Sequence, residues 1–173
     1  MTDKRMPKWV VNAVVLSLSS LTMSCASTGR QSTTARFSID DKADVNAIGH
    51  LLDQIAAADS VGDLDGVTAS YTDDALLLPP DRPVLRGIDA IREHYQKLFD
   101  RYDLKVTIRS DEIHIAGDWA HSVGVTFVTS LPRTGGQAVQ SQDKYMMLLK
   151  RTRDGHWKIH RLMWSPVFRG SRR

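Results

Sequence analysis

The stretch from Ala56 to Phe99, AAADSVGDLDGVTASYTDDALLLPPDRPVLRGIDAIREHYQKLF, decides the fold. It reads as the end of a helix, a tight break at Gly62-Asp63, a short second helix, a strand, a proline-rich turn and a third helix. Leu64, Val67 and Tyr71 carry the short helix, and Asp73 and Asp74 cap a turn ahead of the strand Leu76-Leu77-Leu78. Pro79-Pro80 closes that strand, and Gly87 opens the third helix, with Ile91, Tyr95, Leu98 and Phe99 on one face.

Upstream, Ser38-Ile39-Asp40-Asp41 has the form of a helix start, with a hydroxyl cap and an acid three residues later. Val45, Ile48, Leu52 and Ile55 then recur at three- and four-residue spacing, which is one helical stripe facing a core. After Asp103 the period becomes two. Leu104, Val106 and Ile108 alternate with Lys105, Thr107 and Arg109, and Val123, Val125 and Phe127 form a second alternating set. Leu131 to Gly136 reads as a hairpin loop, followed by Tyr145, Met147 and Leu149, the turn Arg153-Asp154-Gly155, and a last strand from Trp157 to Trp164. Helices first and an antiparallel meander afterwards is an α+β order.

The 173 residues are about one domain's worth. Their composition, 42% hydrophobic and 25% charged, suits a globular core. Residues 1–24 have the form of a secretory signal: a basic Lys4-Arg5-Met6-Pro7-Lys8, then an apolar run from Trp9 to Leu21 that is short for a membrane span. Cys25, the only cysteine, follows in Leu21-Thr22-Met23-Ser24-Cys25. That pattern resembles a bacterial lipobox, in which the cysteine is lipid-modified and becomes the new N-terminus. Thr22 and Met23 depart from the usual residues, and plain secretion or an uncleaved anchor are the alternatives. The expectation is a protein lipid-anchored in the bacterial cell envelope, otherwise secreted, touching the membrane only through its anchor. Residues 25–37 form a polar tether, residues 38–168 the domain, and residues 169–173 a basic tail. Without the signal, 20 basic residues face 19 acidic ones, so charge calls for no nucleic acid partner. A single cysteine leaves the domain without an internal disulfide.

Gly62-Asp63-Leu64-Asp65-Gly66, Tyr71-Thr72-Asp73-Asp74-Ala75 and Arg86-Gly87-Ile88-Asp89-Ala90-Ile91-Arg92, with the late Asp154-Gly155-His156-Trp157-Lys158-Ile159, resemble blocks of the nuclear-transport-factor-2-like superfamily. Within it, the resemblance is to the SnoaL-like and ketosteroid-isomerase-like groups. It covers residues 45–165 and implies a cone: a curved antiparallel sheet with three N-terminal helices around a pocket. It implies no single reaction, because the scaffold carries enzymes, binding proteins and interaction modules.

Ketosteroid-type isomerisation needs a carboxylate base, a tyrosine and a protonated acid. By the resemblance the base position falls on Pro79 and the tyrosine on Ile55, and neither can serve. The acid falls on Asp143. The same alignment points Asp143, Tyr145, Met147, His160, Leu162 and Trp164 toward the pocket, with Tyr71 and Tyr95 nearby. Asp143 and His160 are thus the candidate acid and base, and Tyr71, Tyr95, Tyr145, Met147, Leu162 and Trp164 the candidate ligand contacts. Each also has a plain structural reading, as a packed aromatic or a hydrogen-bonded strand residue.

His156 and His160 are about 13 Å apart on a strand, too far to share a metal, and His114 and His121 lie on separate segments. No phosphate loop, dinucleotide fingerprint, nucleophile elbow or Cys-x-x-Cys is present, so no cofactor and no metal are expected. Three functions fit: a binding protein for a small apolar ligand, a cyclase, isomerase or hydratase using Asp143 and His160, or an envelope interaction module. A homodimer is the superfamily's default. Ser141, Lys144, Met146, Leu148 and Lys150, with the far side of Trp157, Ile159 and Arg161, would supply its surface.

Overall fold

The structure is a computed structural model that describes residues 39–169, with side chains from 41 to 167. The expected signal, Cys25, the expected tether and Ser38 cap, and the expected basic tail beyond Arg169 lie outside the described residues. No helix among the described residues is long and apolar enough to cross a membrane.

Three helices, α1 (Ile39–Val61), α2 (Leu64–Ala69) and α3 (Gly87–Phe99), accompany six strands. These are β1 (Tyr71–Leu78), β2 (Leu85–Arg86), β3 (Tyr102–Ala116), β4 (Trp119–Pro132), β5 (Val139–Arg151) and β6 (Trp157–Arg169). The sheet runs β2-β1-β6-β5-β4-β3, antiparallel throughout except for the parallel pair β1 and β6.

The local signals act as expected at the helix ends. Gly62 takes φ +69°, ending α1, and Asp63 caps α2 by accepting from the Gly66 amide at 2.9 Å. One boundary moves. Tyr71 begins β1 instead of ending α2, and Asp73 and Asp74 lie within that strand. The reason is local, since the Ser70 amide closes α2 onto Val67 and the Ser70 carbonyl accepts from the Ile159 amide of β6.

Ile48, Leu52, Ile55 and Ala58 bury one side of α1, and α3 buries Ile91, Tyr95 and Phe99. Against them lie Leu77, Met147, Leu149, Trp157 and Ile159 of the sheet. A half-buried ion pair pins the N-terminal half of α1 to the far end of the sheet: Arg151 binds Asp44, whose other oxygen accepts from the Trp157 indole at 3.1 Å. The Arg151 hydrogen bond holds the Asp44 carboxyl below its ordinary range.

Of the irregularities in the sheet's pairing, two bear most on its shape. In β3 the pairing skips Asp111, with Ser110 opposite Gly124 and Glu112 opposite Val123. A Cβ on Gly124 would lie 2.1 Å from the Arg109 carbonyl oxygen, so the strands approach there as only glycine permits. In β6 the second bulge is His160, because Ile159 faces Leu149 while Arg161 faces Leu148.

That extra residue reverses the alternation, and it corrects the expected faces. Trp157 and Ile159, expected on the outer surface, are 5% and 0% exposed and belong to the core. On the outer face, Met146 and Met163 are each 49% exposed. Gly124→Ala is expected to destabilise the fold by about 1–3 kcal/mol through overpacking against backbone, read as a lower midpoint in urea unfolding with an unchanged slope.

Candidate functional site

Between α1, α3 and the concave side of the sheet lies a cavity of about 170 Å³. Its deep end is formed by residues that are themselves buried: Ile55 from α1, Tyr71 from β1, Tyr95 from α3, Met147 from β5 and Ile159 from β6. Toward the opening the wall is half-buried, with Leu98, Leu104, Val106, Ile108, Leu162 and Trp164. Most of this surface is apolar, so any polar group on it carries weight.

At the deep end the Tyr71 and Tyr95 hydroxyls are 2.9 Å apart, one donating to the other. Both tyrosines titrate far above the ordinary phenol range, chiefly because they are buried. They are neutral hydrogen-bonding groups.

The sequence reading missed Asp59. This residue lines the cavity one helical turn beyond Ile55. Its Oδ1 is buried and has no hydrogen-bond partner. Burial raises its carboxyl to about 7, and its charge in turn raises both tyrosines. A carboxylate in apolar surroundings with no partner is costly, and acids and bases used in catalysis are often kept in this state.

His94 was missed as well. It lies on the cavity wall beside Tyr95, its ring edge-on to the phenol at 5.5 Å. Burial, reinforced by the nearby Arg82, lowers its pKa and keeps the imidazole neutral. A signal for both residues was present. Asp59 continues the stripe of Ile48, Leu52 and Ile55 at the next four-residue step, and His94 stands between Ile91 and Leu98 at helical spacing.

Of the residues singled out from sequence, Asp143, Tyr71, Tyr95, Met147, Leu162 and Trp164 line the cavity. Asp143 lies on the half-buried part of the wall, its Oδ2 accepting from the Ser141 hydroxyl at 3.4 Å. Tyr145 does not line the cavity. It is 3% exposed and spends its hydroxyl on Ser122, which bonds in turn to Ser110. Ile55 is a wall residue, and Pro79 is not.

His160 is outside the cavity, and the expected dyad with Asp143 does not form. The bulge takes the imidazole away from Leu162 and Trp164. Its Nδ1 meets the Thr72 hydroxyl at 3.1 Å and Asp74 at 3.4 Å, and its ring lies edge-on to Trp119. It stands opposite Leu148 and Leu149, five residues along β5 from Asp143, which is about 17 Å of strand. Burial lowers its pKa, helped by Arg161 and opposed by Asp74.

His114 and His121, on separate segments in the sequence, are directly paired across β3 and β4 with rings 5.4 Å apart. No group of three or more ligating residues suited to a metal occurs among the described residues.

The raised Asp59 pKa has a consequence for stability. In the folded protein its carboxyl keeps a proton up to about pH 7, whereas in the unfolded chain it loses that proton near 3.8. Across that window the folded state binds more protons, so this residue's contribution to stability falls as pH rises. Asp59→Asn removes the penalty. The variant is expected to be more stable than the parent at pH 8 by roughly 2–4 kcal/mol, with the gap closing toward pH 4, as measured by urea unfolding at both pH values.

The fold agrees with the comparisons. The SnoaL-like domain model matches residues 40–163. No curated protein matches the chain. Among solved structures, the chain is similar to a ketosteroid isomerase-like protein from Erwinia carotovora atroseptica SCRI1043, at 25% identity and a TM-score of 0.67, covering 72% of this chain and 97% of that one. A conserved protein from Planctomyces limnophilus DSM 3776 is 22% identical with a TM-score of 0.68, over 73% and 99% of the two chains. A hexachlorocyclohexane dehydrochlorinase of type 2 is 16% identical with a TM-score of 0.65, over 76% and 90%. The chain belongs to the SnoaL-like domain family, within the nuclear-transport-factor-2-like superfamily.

Proposed function

We propose that this protein binds a small apolar molecule in the cavity and moves a proton on it, with Asp59 as the acid–base group. One observation carries the reading: a buried, unpartnered carboxylate oxygen on the wall of an apolar cavity, with a pKa raised to about 7. A general base works best when its pKa lies near the operating pH. Asp59 meets that condition, whereas the positions expected to carry ketosteroid-type chemistry, Pro79 and Ile55, do not.

In this reading Asp59 takes a proton from a carbon made acidic by a neighbouring carbonyl or leaving group. The free proton of the Tyr71–Tyr95 pair steadies the negative charge that develops on the substrate. His94, neutral and on the same wall, is the second group able to hold the proton before it is returned or lost. Return of the proton gives isomerisation, and departure of a leaving group gives elimination. The dehydrochlorinase among the structural neighbours is named for an elimination, which supports the second outcome by analogy of fold. The lipobox-like Cys25 and the preceding apolar run support an extracytoplasmic, lipid-anchored location.

The test is carbon–hydrogen exchange in heavy water over a panel of cyclic ketones, followed by NMR. The parent is expected to accelerate exchange of protons next to the carbonyl for at least one ketone. Asp59→Asn is expected to lose about 100-fold or more of that rate, while His160→Asn, outside the cavity, leaves it within a few-fold. Acceleration that survives in Asp59→Asn would remove Asp59 as the base.

A further inference from the structure

The cavity's size, charge and hydrogen-bonding groups together restrict what can enter it. An engineered apolar cavity of about 150 Å³ takes up benzene, so the 170 Å³ here encloses about one six-membered ring. A second fused ring would have to stand in the half-buried mouth lined by Leu104, Val106 and Trp164.

Charge narrows the choice further. The lining holds two carboxyl groups, Asp59 and Asp143, and no lysine or arginine; Arg82, which meets His94 at 3.4 Å, is exposed and outside the lining. An anionic ligand would be desolvated beside two acids with no counter-charge. A primary ammonium would be drawn to the acids, but it has no lone pair and leaves the free O–H of the tyrosine pair without an acceptor.

The deep end also has a definite hydrogen-bonding demand. Two phenols that bond to each other use one proton and leave one O–H free. Asp59 is half-buried as a residue, but its Oδ1 is buried with an unused lone pair, and its charge acts on both tyrosines. One further proton donor and one further acceptor therefore satisfy the deep end, and a single hydroxyl group supplies both.

From this we infer that the ligand presents to the deep end an uncharged six-membered ring bearing a hydroxyl, a phenol or cyclic alcohol, which donates to Asp59 and accepts from the tyrosine pair. The inference rests on the reading of this cavity as the ligand site and adds the class of molecule that fits it. It does not depend on proton transfer taking place.

Phenol, benzene, benzoate and benzylammonium, titrated into the full chain at pH 8 and followed by NMR, test it directly. Phenol is expected to bind about tenfold more tightly than benzene, the worth of one hydrogen bond to a charged acceptor, and at least tenfold more tightly than benzoate. Asp59→Leu is expected to erase the advantage of phenol while benzene still binds, which shows the cavity intact. Should that variant fail to fold, the double variant Tyr71→Phe with Tyr95→Phe, which leaves no O–H at the deep end, provides the second reading, with the phenol advantage cut at least threefold.

Benzoate or benzylammonium binding most tightly, or phenol binding no better than benzene, would overturn the ligand class and leave the cavity as the site. Absence of binding by all four probes would overturn both. A phenol preference alongside no ketone exchange would count for the ligand class and against proton transfer alone.

Discussion

Where β1 and β6 run parallel, each strand departs from regular pairing at the same level, and the two departures are tied together. His160 is the extra residue of β6, and the pairing of β1 shifts between Tyr71 and Leu76. The imidazole bonds Thr72 and approaches Asp74, while Arg161 donates to the Asp74 carbonyl at 3.2 Å. This junction decides which side chains of the last strand face inward. Before it, Trp157 and Ile159 do, and after it Leu162 and Trp164 do. Both Ile159 and Leu162 can line one cavity only because the alternation is broken between them.

The cavity is held open at an energetic cost. A fold concerned only with stability would place an apolar side chain at residue 59, where the stripe of α1 continues into the core. An acid stands there instead, with one oxygen unsatisfied. Groups of this kind persist where function requires them, and the surrounding structure offsets their penalty. Here the offset comes from the packing of α1 on the sheet and from the Arg151–Asp44–Trp157 contact that anchors its other end.

The helices, turns and meander were legible because periodicity, capping and glycine placement are local properties. The Gly62-Asp63 break is an instance where one dipeptide both ends a helix and caps the next. Tyr71 was misplaced because its spacing from Leu64 and Val67 is helical, yet a tertiary bond from Ile159 to Ser70 closes the turn before it. Asp59 gives a weaker signal, because a charge at the end of an apolar stripe ordinarily marks the point where the stripe leaves the core. The last strand held a clue to its bulge: the apolar residues fall at 157 and 159, then at 162 and 164, and the change of parity marks the irregularity. Reading straight through it put His160 in the pocket and Ile159 outside. The His114–His121 pairing had a local signal in the two-residue Gly117-Asp118 turn, which pairs Ala116 with Trp119 and so sets His114 opposite His121.

The Tyr71–Tyr95 contact joins β1 to α3 through two equivalent hydroxyls, either of which can be the donor. Its polarity is therefore reversible. Rotation of two protons, with no heavy atom displaced, moves the free donor from the strand to the helix. The floor of the cavity can thus present its proton from either of two directions, so one rigid set of side chains can accommodate two orientations of a bound oxygen atom.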